Sequence, residues 1–283
     1  MNSLKTQNKC IKIFNIFSLN LNLTLDCGQT FRWEKNENGN WCSVVHGKYI
    51  ELSQNLNEGS ITFYNSSKKE IDKYWNHYFD LDRNYNEICS ILSADKNINR
   101  AITEFPGIHI LNQDPWEILC SFIISQNNNI PRIKGIIERL CENFGDFVIE
   151  KNDKKYYSFP SAKKLATLSI EDLAPLRSGF RAKYIIDAAT KVASGEINLT
   201  SLKNLSLEEA ETELMKIKGV GKKVAHCVLL YSCEQIDAFP KDVWVKRIMK
   251  EIYPNGLHPC TKGIRGIAQQ YLFHWRRNSV DFK

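Results

Sequence analysis

The sequence predicts an α+β protein, with an N-terminal twisted antiparallel β-sheet followed by a helical body. Three observations carry this. Up to about residue 65, apolar and polar residues alternate at period two between turn-forming clusters. From about residue 68 the apolar residues recur three and four apart. In the last third, two helical patterns flank a glycine turn.

The elements follow in order. Residues 18–26, SLNLNLTLD, alternate without a break and predict a strand with Leu19, Leu21, Leu23 and Leu25 on one buried face. A DCG turn follows, then FRWEKNENGNW, where NENGN turns the chain between two aromatic-rich segments. WCSVVHGKYIELS and SITFYN continue the hairpin pattern. DPWEILCSFIIS then opens a helix with Asp114 as N-cap, Pro115 as first helical residue and Glu117 three after the cap. Ile133, Ile136, Ile137, Leu140, Cys141 and Phe144 mark one buried face of the next helix. Further helices are predicted at 161–168, 181–193, 207–217, 222–232 and 242–252. No internal repeat or low-complexity tract occurs. The implied organisation is a sheet domain with flanking helices over 1–110 and a helical domain over 111–283.

Composition narrows the function. The chain has 283 residues, 43% hydrophobic and 25% charged, with a formal charge of +6, as in a soluble protein compatible with a nucleic-acid partner. No stretch approaches the roughly 20 apolar residues that span a bilayer. The start, MNSLKTQNKCIKIF, lacks a basic segment followed by a long apolar run, so secretion is not expected. Nine cysteines, an odd number with no CxxC pair, argue against a disulfide scaffold, a zinc ribbon and an iron–sulfur cluster. Reduced thiols in the cytoplasm are expected instead.

LEEAETELMKIKGVGKKVAHCVLLY reads as helix, hairpin, helix, with Gly219 and Gly221 giving the turn. Free N–H groups at the second helix's start suit a phosphate and would hold a nucleic-acid backbone without reading bases. An ordinary glycine turn between helices is an equal reading of the pattern. Helical spacing separates the two lysines: Lys223 shares a line with Cys227 and Tyr231, Lys222 one with His226. The enclosed lysine is the candidate nucleophile, because desolvation lowers a lysine's proton affinity. Downstream, Asp242 precedes an amphipathic helix as a cap, and a carboxylate held there also suits a developing cation.

GVGKKVA followed by PKDVW resembles the signature of the helix–hairpin–helix DNA glycosylase superfamily. LTLDCGQTFRW (23–33), DPWEILCSFIISQNNNIPRIKGIIERLCENFG (114–145), SGFRAKYI (178–185) and GIAQQYLF (266–273) match, in order, the eukaryotic-type 8-oxoguanine DNA glycosylase/lyase family. The resemblance covers most of the chain. It implies a TBP-like sheet domain, a helix–hairpin–helix glycosylase body, and removal of 8-oxoguanine opposite cytosine from double-stranded DNA by base flipping. It also implies a monomer located in the cytoplasm or nucleoid, or in a nucleus.

By this resemblance Lys223 attacks the sugar C1′ and forms a Schiff base, and Asp242 stabilises the oxocarbenium-like transition state. Gly28 offers its carbonyl to the N7–H that guanine lacks. Gln269 reads the pairing edge, and Phe273 and Cys227 sandwich the base. Asn127 fills the vacated space, Phe180 wedges into the stack where the family usually has tyrosine, and Arg132 and Arg181 read the orphaned cytosine. Gly219, Gly221, Lys222 and Trp244 fall on the DNA backbone. The carbonyls of Met215, Ile217 and Val220 match a structural cation site suited to K⁺, Na⁺ or Ca²⁺; no cofactor is required. Read without the resemblance, the same residues are helix caps, solvated charges, a turn glycine and core side chains.

Departures from the family pattern are specific. Trp244 stands at a usual histidine and Arg276 at its acidic partner, which predicts a cation–π pair between them. Lys218 replaces a proline before the hairpin, and the stretch between Asp242 and Gln269 is short by about one helix. Two alternatives remain: a related glycosylase for an alkylated or mispaired base, and a non-catalytic DNA-binding relative.

Overall fold

The computed structural model of the protein describes residues 10–282. The first nine residues, on which the expectation about secretion partly rests, lie outside the described residues. Five strands, β1 (Cys10–Ile13), β2 (Glu34–Lys35), β3 (Trp41–Val45), β4 (Lys48–Asn55) and β5 (Ser60–Tyr64), form an antiparallel sheet in the order β1-β5-β4-β3-β2. The β3–β4 turn is His46-Gly47, both with positive φ, as a two-residue hairpin requires.

Helices account for most of the remainder. α1 (Leu21–Leu25) and α3 (Asn76–Tyr78) pack with the sheet, as do Ile71 and Trp75 after the exposed turn α2 (Lys68–Glu70), while α4 (Tyr85–Leu92) and α5 (Lys96–Glu104) join the helical body. The body continues with α6 (Pro115–Ser125), α7 (Ile130–Phe144), α8 (Ala162–Leu165), α9 (Ala182–Ala193) and α10 (Leu207–Met215). It closes with α11 (Lys222–Ser232), α12 (Val243–Glu251) and α13 (Arg265–Asn278). A small hairpin, β6 (Phe147–Lys151) and β7 (Lys154–Tyr157), turns through Asn152 and Asp153, both left-handed. No described helix is long and apolar enough to cross a membrane.

The reading of 18–26 as a strand is corrected. Asn20 caps a short helix by accepting the Leu23 N–H at 3.2 Å, so Leu21 and Leu25, four apart, share the buried helical face. Leu23 instead packs toward the helical body. The sheet core gathers Leu19, Trp33, Leu52, Phe63 and Phe79 under the strands. The second core takes in Ile118 to Ile124 of α6, the inner face of α7 and the middle of α11.

Arg32 ties the two regions together. Its guanidinium donates to the Val44 carbonyl and the Glu117 carboxylate, both at 3.1 Å, and to the Tyr157 carbonyl at 2.6 Å. Asp114 caps α6 as expected, accepting the Glu117 N–H at 2.9 Å. The Glu117 carboxylate, however, turns to Arg32. A buried guanidinium needs a counter-charge more than the cap needs a second bond.

Candidate active site

Every chemical group singled out around the hairpin sits at an element terminus or on one helix face. α10 ends at Met215, and Gly219 follows with a φ of +78°. A Cβ there would lie 2.4 Å from the Tyr184 ring, so conformation and space both require glycine. Gly221 differs. It is extended, caps α11 without a side chain, and has nothing within 4 Å of where a Cβ would stand. The reading that both glycines form the turn is corrected: Gly219 turns the chain, and Gly221 leaves the first N–H groups of α11 uncovered.

Helical spacing separates Lys222 and Lys223 as expected. Lys222 is exposed and pairs with Glu211 of α10 at 2.9 Å. Lys223 is half-buried, 3.3 Å from the Ser125 hydroxyl and 4.9 Å from the centre of the Phe122 ring. It faces a cavity of about 420 Å³, within the usual range for ligand pockets. Asp242 lines the same cavity at the N-terminus of α12, where its carboxylate accepts the Val245 N–H at 2.8 Å.

Chain segments distant in sequence form the other walls. Gly28, with a φ of +84°, meets the edge of Phe273, whose Cε1 is 3.4 Å from where a glycine Cβ would be. Gln269 and Phe273, four apart on α13, face inward together. Gln269 is buried, and its Oε1 has no hydrogen-bond partner among the described residues. Burial pushes the Cys227 thiol up to about 11 despite the nearby Lys223, so it serves as a neutral, polarisable wall.

Beside the cavity, the α6–α7 turn carries three asparagines with distinct surroundings. Asn128 donates to the Ile124 carbonyl and Asn129 caps α7, whereas Asn127 is exposed with a φ of +48°. Arg181 is buried against this turn. Its guanidinium donates to the carbonyls of Gln126 and Asn127, at 2.9 and 2.8 Å, and of Ser178 at 3.1 Å. The exposed ring of Phe180 lies 4.5 Å from the same guanidinium. Burial lowers the Arg181 pKa, and the charge of nearby Arg132 lowers it further. Asn127, Phe180 and Arg181 therefore meet at this turn, and Arg132 follows in the first turn of α7, its N–H bonded to the Asn129 cap.

A family model for HhH-GPD superfamily base excision DNA repair proteins matches residues 120–270, and one for the N-terminal domain of 8-oxoguanine DNA glycosylase matches 13–119. The chain belongs to the 8-oxoguanine DNA glycosylase/lyase family. It is 33% identical over 255 residues to an N-glycosylase/DNA lyase of Saccharomyces cerevisiae, covering 81% of this chain and 67% of that one. A DNA-3-methyladenine glycosylase of Bacillus subtilis is 32% identical over 202 residues, covering 71% of this chain and 66% of that one. The chain thus spans about two thirds of the length of these curated relatives. The 8-oxoguanine glycosylase/lyase of Clostridium acetobutylicum, solved with double-stranded DNA containing cytosine opposite 8-oxoguanine, superposes with a TM-score of 0.88. It is 38% identical, covering 96% of this chain and 97% of that one.

Within this glycosylase fold, some expectations fail. Arg276 does not lie on Trp244. Its guanidinium is 4.2 Å from the centre of the Phe282 ring and bonds Glu251 at 3.0 Å, while Arg247, three residues along α12, covers Trp244 at 5.2 Å. A neighbour one helical turn away and a carboxylate within reach outcompete a distant indole face.

Several residues around the glycosylase cavity carried no local sequence signal. Ser125 and Phe122 contact Lys223 from α6, and Arg277 covers Phe273 at 5.1 Å. Gln270 donates to the Cys27 carbonyl at 2.9 Å and accepts from the Tyr231 hydroxyl at 2.6 Å. It thereby holds the Gly28 turn, α11 and α13 together. Adjacent helical residues point about 100° apart, which sends Gln269 to the cavity and Gln270 to the core.

Proposed function

We propose that the protein is a bifunctional DNA glycosylase and AP lyase that removes 8-oxoguanine opposite cytosine from duplex DNA. The observation carrying this reading is a single cavity lined by Lys223, Asp242, Gly28, Cys227, Gln269 and Phe273. A purine enters only after leaving the stack. Phe273 and Cys227 would flank its faces, and Gln269 Oε1 would accept a hydrogen bond from the N–H groups of the guanine pairing edge. The Gly28 carbonyl would accept the N7–H of the oxidised base, whereas guanine would set lone pair against lone pair.

Lys223, as the free amine, attacks C1′ while the glycosidic bond breaks and its electron pair leaves with the base. Asp242 lowers the barrier by facing the positive charge that develops on the sugar. The attacking nitrogen then loses a proton and the C1′–O4′ bond opens, with O4′ taking up a proton, to give the Schiff base, and loss of a proton from C2′ expels the 3′ phosphate. Asn127 and Phe180 would hold the opened stack, with Arg132 and Arg181 toward the unpaired cytosine. For Arg181 that requires exchanging carbonyl partners for the base.

The N–H groups beside Gly219 and Gly221, with Lys222 and Trp244, would meet the DNA backbone. Among the hairpin carbonyls, that of Ile217 already accepts the Val220 N–H at 3.1 Å, leaving it one lone pair. The Lys191 ammonium sits 2.5 Å from the adjacent Lys216 carbonyl. By the family resemblance, the carbonyls of Met215, Ile217 and Val220 would hold a K⁺, Na⁺ or Ca²⁺ ion here.

Strand cleavage with each of the four bases opposite the lesion, with and without alkali, tests the reading. Cleavage without alkali, fastest opposite cytosine, is expected. Release of alkylated purines alone would transfer the assignment to the activity of the Bacillus subtilis relative. A borohydride adduct that survives Lys223→Gln but not Lys222→Gln would overturn the nucleophile.

A further inference from the structure

We propose that His226, oriented by Glu211, is a positioning residue that braces Asp242 against the helix carrying Lys223. This rests on the catalytic reading of Asp242 above. The two proposed reacting groups sit on different elements, Lys223 in the first turn of α11 and Asp242 at the start of α12. Their relative position depends on what holds residues 233–242 against α11.

His226 lies one helical turn beyond Lys223. Its Nδ1 accepts the Phe239 N–H at 2.9 Å, and its Nε2 is 2.6 Å from Glu211 Oε2. A backbone N–H can only donate, so Nδ1 must present its lone pair, and the ring proton on Nε2 goes to the carboxylate. Glu211 also receives the Lys222 ammonium on its other oxygen at 2.9 Å. Burial acts to raise the Glu211 carboxyl, yet its bonds to Lys222 and His226 hold it below the ordinary range. The ring is therefore fixed on both sides.

The grip matters because Phe239 is the last backbone anchor before Asp242. Pro240 has no N–H, and among the described residues neither Pro240 nor Lys241 takes part in a hydrogen bond. The next fixed point is the Asp242 carboxylate on the Val245 N–H. His226 is thus the upstream anchor of Asp242, with the constrained φ of Pro240 transmitting its position. A displacement of about 1 Å at a reacting group costs on the order of 10²-fold in rate.

Two substitutions separate the ring's two bonds. In His226→Asn the amide oxygen stands near Nδ1 and can still accept from Phe239, but Glu211 is out of reach. In His226→Gln the amide reaches Glu211 and leaves the Phe239 N–H unpaired. Single-turnover base release should slow at least about tenfold in His226→Gln and no more than about threefold in His226→Asn. Binding to a duplex with a stable abasic analogue should stay within about twofold for both. Because His226 acts through Asp242, His226→Gln combined with Asp242→Asn should be no slower than Asp242→Asn alone.

Additive losses in that cycle, or a wild-type rate in His226→Gln, would overturn the inference. Amide exchange at Phe239 gives a readout independent of substrate: protection is expected in the wild type and His226→Asn and lost in His226→Gln. Unchanged protection would also overturn it. Failure of the wild-type protein to release 8-oxoguanine would instead count against the substrate assignment, leaving the Phe239 exchange result to stand on its own.

Discussion

Lys223 donates from Nζ to the Ser125 hydroxyl at 3.3 Å, and Ser125 donates in turn to the Phe122 carbonyl at 2.8 Å. The lysine is therefore positioned by an uncharged acceptor and by the Phe122 ring face, 4.9 Å from Nζ. Ser125→Ala should free the amine to swing, slowing borohydride trapping on an abasic duplex by about threefold to tenfold. DNA affinity should be unchanged. An unaltered trapping rate would show that the ring contact alone suffices.

Asp242 combines a cap with a charge. Asn caps a helix as well as Asp does, so Asp242→Asn should move thermal stability by less than about 1 kcal/mol. Base release should fall on the order of 10²-fold or more, because the amide cannot offset the sugar's positive charge. Parallel melting and single-turnover assays separate the two roles. A large drop in melting temperature would assign the loss of activity to folding.

Arg181 holds the α6–α7 turn through three carbonyls. Arg181→Ala should leave buried acceptors unpaired and cost about 1–3 kcal/mol in urea unfolding. It should also reduce discrimination between cytosine and the other bases opposite the lesion. Arg181→Lys should recover part of the stability and little of the discrimination, since an ammonium lacks the planar fork.

Acid should destabilise the fold through two buried histidines. Burial pushes His109 down to about 4 against opposing carbonyls of Phe79 and Ser18. Burial, aided by Arg277 and opposed by Asp26, takes His274 down to about 4 as well. In the unfolded chain both rings protonate near 6.5. Between these values the unfolded state binds more protons, so stability present above about pH 6.5 is lost as pH falls toward about 4. Each ring contributes on the order of 1–3 kcal/mol. Urea midpoints measured at about pH 7 and about pH 5 should differ, and His274→Gln should narrow the gap. An equal gap in that variant would remove His274 from the account.

Much of the site was legible because its logic is local. Lys223 and Cys227 share a helical line whatever surrounds them, and Asp114 and Asp242 cap the helices that come after them. Pattern and structure part where two local codes compete. SLNLNLTLD has perfect alternation, yet Asn20 is a good cap and the helix won. The β6–β7 hairpin leaves little sequence signal although Asn152-Asp153 is a turn pair, because its strands are short and largely polar.

By itself the sequence determined the periodicities, the caps and the segregation of two adjacent lysines, since each depends on dihedral geometry within a few residues. Only the tertiary structure decided that Gly28, Lys223, Asp242 and Gln269 share one cavity, that Gln270 ties its walls together, and that Arg276 meets Glu251 rather than Trp244. Those outcomes depend on how buried faces pack and on which polar group finds a partner first. Such competition runs between segments that hydrophobic burial brings together, and no local pattern encodes it.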